Sequence, residues 1–335
     1  MNSINIQVEQ QQGRVADEVS ALIAVIRPIL HGLLFAIKND VVNETGGIHN
    51  LKLFMLPRVY RPGSGDCGIC FEYAVHDAIQ RKDPMIIERV HDSLTRFCRV
   101  PGNDTASILF GAEKTGALQL IGNADDLLTD DSRILTGAQA QPPKLKQYIQ
   151  DLMQAFRRQN YRDQLPSSIS GLWKADLFLG NRDTDRWVGT TVKINKSQLE
   201  GAQGLRIGIV PSTFGKGDQI VFDSNRNLVV CPLPYDGSFM EIFYSAWQII
   251  QSFIYWDAKM PKPEYLSVGS HRIVAQRLEE RRELTVLEAI DSLAPIAQPG
   301  LLITDSHQVS ISTNSNQVES IKNVIAPQPL QFSLN

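Results

Sequence analysis

The chain is poor in cysteine. It has four in 335 residues, too few for a disulfide scaffold. Cys67 and Cys70 form a CxxC, but Cys98 and Cys231 stand far apart with no matching spacing. That pattern argues against a zinc site and for the reduced thiols of a cytoplasmic protein. Excess charge of one sign is also lacking, because the net charge is only −3. A basic coat for nucleic acid is therefore excluded, and any such partner would need a local basic groove. Uninterrupted apolar stretches are missing as well. The longest candidate, residues 19–37, is broken by Arg27, Pro28 and His31, so no membrane span is expected. The first residues lack the basic-then-apolar order of a signal peptide. No repeat is present, and no Rossmann fingerprint follows a predicted strand. The loop PSTFGKGDQ has glycines around Lys216 but not the spacing of a Walker A sequence.

What remains is a globular composition. Hydrophobic residues make up 43% and charged residues 21%, enough to bury a sizeable core. Residues 2–13 are polar and read as a frayed lead-in. Helical spacing of Val19, Leu22, Ile23, Ile26, Leu30, Leu33 and Leu34 predicts a long helix over 14–39, which Pro28 would kink or split. Further helices are predicted over 67–81, capped by Ser64 or Asp66, over 83–98 with Pro84 in its first turn, and over 144–159, 240–255 and 272–293. A short hairpin is expected over 107–122 and a loop over 125–143. The runs WKADLFLG, WVGTTVKIN, GLRIGIVPS, QIVFD and NLVVCPLP read as strands. From residue 298 the chain is polar, suited to a strand or two or to a loose tail. The order of elements gives an α/β fold with a mixed central sheet flanked by helices. The expected divisions are an N-terminal helical segment (1–60), a core (61–297) and the tail (298–335).

The chemistry lies at one hairpin. NRDTDR separates two strands. On the second, Val188, Thr190, Val192 and Ile194 share a face suited to a core, while Gly189, Thr191, Lys193 and Asn195 share a small, polar one. On the first, Lys174, Asp176 and Phe178 lie opposite the face of Leu177 and Leu179. A hairpin symmetric about Asp183 and Thr184 places Asp176 opposite Thr191 and diagonal to Lys193. A carboxylate and an ammonium then converge. That combination suits metal-assisted phosphodiester hydrolysis, in which a hard cation activates water and a lysine stabilises developing charge. On the helix over 67–81, Phe71, Ala74, Val75 and Ala78 form a core stripe. Glu72, His76 and Ile79 form the adjacent stripe, with Glu72 and His76 one turn apart. The bland alternatives are a strand-edge charge at Asp176 and a surface pair between Glu72 and His76.

These residues resemble the PD-(D/E)XK, or restriction-endonuclease-like, superfamily across residues 67–255. Asp176 matches the first acid, Thr191-Val192-Lys193 lies where acid-x-Lys belongs, and Glu72 in GICFEYAVHDAI matches the acid of the preceding helix. Thr191 departs from the pattern by replacing the second acid, so Glu72 or a backbone carbonyl must compensate, or the chain is an inactive member. The resemblance implies a restriction-endonuclease-like core and a nuclease with catalytic Asp176, Lys193 and Glu72. It implies Mg²⁺ or Mn²⁺ held by Asp176 and Glu72, with Thr191, His76 and Asn195 as secondary candidates. It further implies a nucleic-acid partner, DNA before RNA, a regulatory protein partner, pairing of two copies, and a bacterial restriction or anti-phage setting.

Two other readings stand beside it. GDCGICFEYA is similar to the GxCGxCWAF stretch of papain-like peptidases, which would make Cys70 or Cys67 a nucleophile with His271 as its base. A non-catalytic scaffold is the other. The aromatics over 239–256 suit a partner interface or, on the stripe of Phe243, Trp247, Ile250 and Ile254, a core.

Overall fold

The computed structural model describes residues 2–37, 39–63, 66–110, 127–136, 142–157, 175–201, 204–213 and 218–303. The chain opens on α1 (Asn2–Ala36), followed by α2 (Asn39–Glu44), α3 (Leu56–Val59), α4 (Asp66–Gln80) and α5 (Pro84–Asp92). Strand β1 (Thr105–Leu109) and the three-residue β2 (Arg133–Leu135) precede α6 (Leu145–Arg157). The rest of the sheet is β3 (Leu177–Asn181), β4 (Arg186–Val192), β5 (Arg206–Pro211), β6 (Val221–Asp223) and β7 (Leu228–Leu233). Helices α7 (Gly237–Tyr255), α8 (Gly269–Glu279) and α9 (Val286–Leu293) follow.

The described strands form one mixed, open sheet of seven, six of them in the order β1-β3-β4-β5-β7-β6 and β2 paired with β4 off that path. The pairs β1–β3, β3–β4 and β6–β7 are antiparallel, whereas β4–β5 and β5–β7 are parallel. One edge of β4 serves two partners: β2 pairs with Arg186–Val188 and β5 with Gly189–Val192. Apolar residues alternate across the sheet, as a pleat requires. Leu177, Leu179, Val188, Ile207 and Ile209 join the main core with α1, α4 and α7. Phe178 and Trp187 join a second core with Ile108, Ile134 and the α6 residues Leu145 and Ile149. The face expected to be small and polar is thus mostly covered by an apolar layer, and polarity survives only at the end of the hairpin.

Several boundaries depart from expectation. Residues 2–13 continue α1 rather than fraying, and Pro28 lies inside the helix without ending it. The helix packs extensively on α4, α7, α8 and α9; that burial outweighs a proline's cost of about 3 kcal/mol. Its segment Gly13–Ala36 is long and apolar enough to cross a membrane, yet 78% of its most apolar window is buried inside the fold. Arg27 is accommodated there because its Nε donates to the Ile290 carbonyl at 3.0 Å. The predicted loop over 125–143 contains β2. The predicted helix over 272–293 is two helices, because Thr285 and Glu288 form a reciprocal capping box that starts α9. The helix over 83–98 is capped by Asp83 and ends in a π-turn over Ser93–Phe97. The second limb of the hairpin expected over 107–122, residue Lys174, the centre of the loop around Lys216 and the tail from residue 304 lie outside the described residues.

Candidate active site

The β3–β4 register is the one that the symmetric hairpin requires. Asn181 pairs with Arg186 and Leu177 with Thr190, and the Asp176 amide donates to the Thr190 carbonyl at 2.8 Å. One residue beyond that last pair, Asp176 faces Thr191. Its Oδ2 accepts three hydrogen bonds: from Thr191 Oγ1 at 3.0 Å, from the Val192 amide at 2.9 Å and from Lys193 Nζ at 2.9 Å. Asp176 is only 3% exposed. Burying a carboxyl group is costly unless hydrogen-bond donors and a cation meet it, and this one has both.

Glu72 arrives from α4. That helix approaches α1 closely: a Cβ on Gly32 would lie 3.0 Å from the Cys70 backbone. The packing buries Phe71, Ala74, Val75 and Ala78 as the stripe predicts, and carries the adjacent stripe of Glu72, His76 and Ile79 into the interior with them. Glu72 Oε1 lies 3.7 Å from Lys193 Nζ, so one ammonium bridges two carboxylates. Burial alone would lower the pKa of Lys193; the Asp176 carboxylate and its hydrogen bond, then Glu72, outweigh this and raise it. Lys193 is therefore an ammonium at neutral pH. It can neutralise negative charge but cannot accept a proton.

The secondary candidates divide. Thr191 belongs to the cluster. His76 stands behind Glu72, 3% exposed, and its Nδ1 shares a 2.8 Å hydrogen bond with Ser107 Oγ on β1. Burial pushes its pKa down to about 4, so it is neutral and serves as a structural link, not as a cation or as half of a surface pair. Asn195 is exposed, and its Oδ1 accepts from the Ser197 amide at 2.9 Å, capping the turn Lys196–Gln198 rather than joining the cluster.

Two participants escape the sequence reading. Gln80 donates to the Ser107 carbonyl at 2.8 Å, completing a stripe of Glu72, His76 and Gln80 whose spacing of four was legible. Arg206 opens β5 and is 2% exposed; burial lowers its pKa, and attraction to Asp176 and Glu200 opposes that. Nothing in the apolar run around it distinguishes this arginine from a surface residue.

The thiols show the opposite trend from a nucleophile's. Burial pushes Cys67 up to about 11 and Cys70 well above the ordinary thiol range, and Cys70 Sγ contacts the Ile29 carbonyl at 3.5 Å. A catalytic thiolate needs a lowered pKa. His271 is likewise buried on α8, with its pKa lowered by burial and opposed by Glu18.

Among the described residues no three His, Cys, Asp or Glu side chains converge to hold a metal ion. The donor set nevertheless fits Mg²⁺, which takes hard oxygen ligands from one or two carboxylates and keeps several waters. Asp176 and Glu72 are two such carboxylates gathered around a resident cation, the Lys193 ammonium. In comparisons with known proteins, no family model, no curated protein and no solved structure matches this chain.

Proposed function

We propose that this protein is a nuclease of the PD-(D/E)XK type, hydrolysing phosphodiester bonds in nucleic acid with Mg²⁺ or Mn²⁺. The observation that carries this reading is the meeting of Asp176, Glu72 and Lys193 at one end of a hairpin, at 2.9 and 3.7 Å from a single ammonium. Asp176 and Glu72 would hold the ion, which when bound supplies an activated water and charge neutralisation. Thr191 and the Val192 amide fix the Asp176 carboxylate. Lys193 faces the negative charge that builds on the phosphoryl oxygens, a role that requires a permanent cation. Thr191 in place of a second acid leaves a two-carboxylate ligand set, which Mg²⁺ accepts.

DNA is the favoured substrate, on the family resemblance, and a cytoplasmic restriction or anti-phage role, a controlling partner and action in pairs follow from the same source. The test is incubation of the purified chain with plasmid, linear duplex and RNA in Mg²⁺ or Mn²⁺. Cleavage is expected, abolished by EDTA and by Asp176→Asn or Lys193→Ala. Undiminished cleavage by both variants would reject the assignment. An inert wild type that nonetheless captures a protein partner would favour the scaffold reading.

A further inference from the structure

Away from the carboxylate cluster, the end of α7 carries a cavity of about 530 Å³, within the roughly 300–1,000 Å³ of ordinary ligand pockets. It shares no lining residue with the candidate active site. Its walls include Arg61, Pro62, Tyr255, Trp256, Asp257 and Tyr265. Tyr255 is 77% exposed and Tyr265 51% exposed, an unusual investment of aromatic area in solvent. The three rings form one group: Tyr255 and Tyr265 are inclined by 36° at 6.4 Å, and Trp256 meets Tyr265 edge-on at 5.3 Å. They line the cavity rather than a closed core.

The charges around those rings select among planar ligands. Lys262 Nζ already sits over the Trp256 ring at 5.4 Å, so the aromatic group has its cation, and a cationic ligand would meet repulsion instead of a cage. Arg61 is exposed on the wall. Two cations beside stacking surfaces suit a ligand that joins a flat ring to an anion. Asp257 adds an acceptor for ring N–H or amino groups.

We infer that this cavity binds a nucleotide, with the base stacked on Tyr255 and Tyr265 and the phosphate facing Arg61 and Lys262. The unit is either a free nucleotide or one residue of a single strand, since both present the same base and phosphate. Binding here is independent of catalysis at Asp176 and holds whether or not the chain is a nuclease.

The experiment is calorimetric titration of the full chain, in EDTA so that no strand is cleaved, with AMP, adenosine, inorganic phosphate, a short single-stranded DNA and a proline-rich peptide. AMP or the strand should bind, and adenosine and phosphate should each bind more weakly. Tyr255→Ala or Tyr265→Ala should weaken binding about tenfold, the usual loss for one stacked base, while Tyr255→Phe should retain it. Arg61→Ala should weaken AMP but leave adenosine unchanged. Comparable affinity for AMP and strand assigns a free nucleotide; binding of the strand alone assigns a strand residue. The inference fails if neither binds at millimolar concentration, if Tyr255→Ala binds as wild type, if adenosine matches AMP, or if only the peptide binds.

Discussion

The β3–β4 hairpin carries a hydrogen-bonded acid at each end, half-buried Asp185 at the turn and buried Asp176 at the open end, and the two are built differently. At the turn, Asp185 accepts from Thr129 Oγ1 at 2.6 Å, Ser132 Oγ at 2.5 Å and Trp187 Nε1 at 2.9 Å. Those donors are neutral side chains, and they tie the loop before β2 to the hairpin. Burial alone would raise the Asp185 pKa, and the bonds from Ser132, Thr129 and Trp187, with a smaller contribution from the Arg186 charge, override it, so the net shift is downward. At the open end, Asp176 has a comparable number of bonds, but one comes from an ammonium and a second carboxylate lies alongside. Hydrogen-bond count therefore does not separate a structural acid from a candidate catalytic one. Two acids gathered around one cation do, because concentrating like charge in a buried site is costly unless a cation, resident or recruited, repays it.

Substitutions at the two ends should separate them. The largest effect is expected at the open end: Asp176→Asn or Glu72→Gln should lower phosphodiester cleavage by about 10²–10³-fold, the usual loss for an electrostatic catalytic group. Asp185→Asn should leave that rate within a few fold. Equal losses at both ends would erase the distinction.

Second in size is a pH effect behind the open end. Folded His76 takes up a proton only near about 4, whereas an unfolded histidine does so near about 6.5. Between those values the unfolded chain binds more protons, so stability falls as pH drops through that window, by about 3 kcal/mol in all. His76→Gln should flatten this fall in denaturant titrations at stepped pH. Some slope should persist, because burial also lowers His31 and His271.

Third, Asp185→Ala should destabilise the fold by about 1–3 kcal/mol, since it strands the buried Ser132 and Trp187 donors. Fourth, Thr191→Ala removes one neutral bond to Asp176 and should cost about 1 kcal/mol, with a rate loss below tenfold. Smallest of all should be alkylation of the half-buried Cys67, whose thiol stays protonated at neutral pH; activity lost on alkylation would revive the cysteine chemistry.

Much of this arrangement is legible in the sequence. The alternation of Leu177, Leu179 and Val188 against Asp176 and Thr191 sets strand faces, and the short polar turn sets the register, so the meeting of Asp176 with Lys193 follows from period and loop length alone. The buried stripe of α4 was readable from its spacing of three and four. What could not be read depends on tertiary partners. Phe178 shares a face with Asp176, but only the docking of α6 turns that face into a second core. Pro28 signals a break that packing overrides. The stop between α8 and α9 was encoded in Thr285 and Glu288, but the surrounding charged residues mask it in a periodicity count. Arg206 carries no local signal, because its burial is decided by its strand neighbours.

Mn²⁺ binding measured by electron paramagnetic resonance tests most directly whether the paired acids form a cation site. One bound ion in the wild type, lost in Asp176→Asn and in Glu72→Gln but kept in Asp185→Asn, is the predicted result. Wild-type protein that leaves all the Mn²⁺ free, or an ion that survives both open-end substitutions, would contradict it.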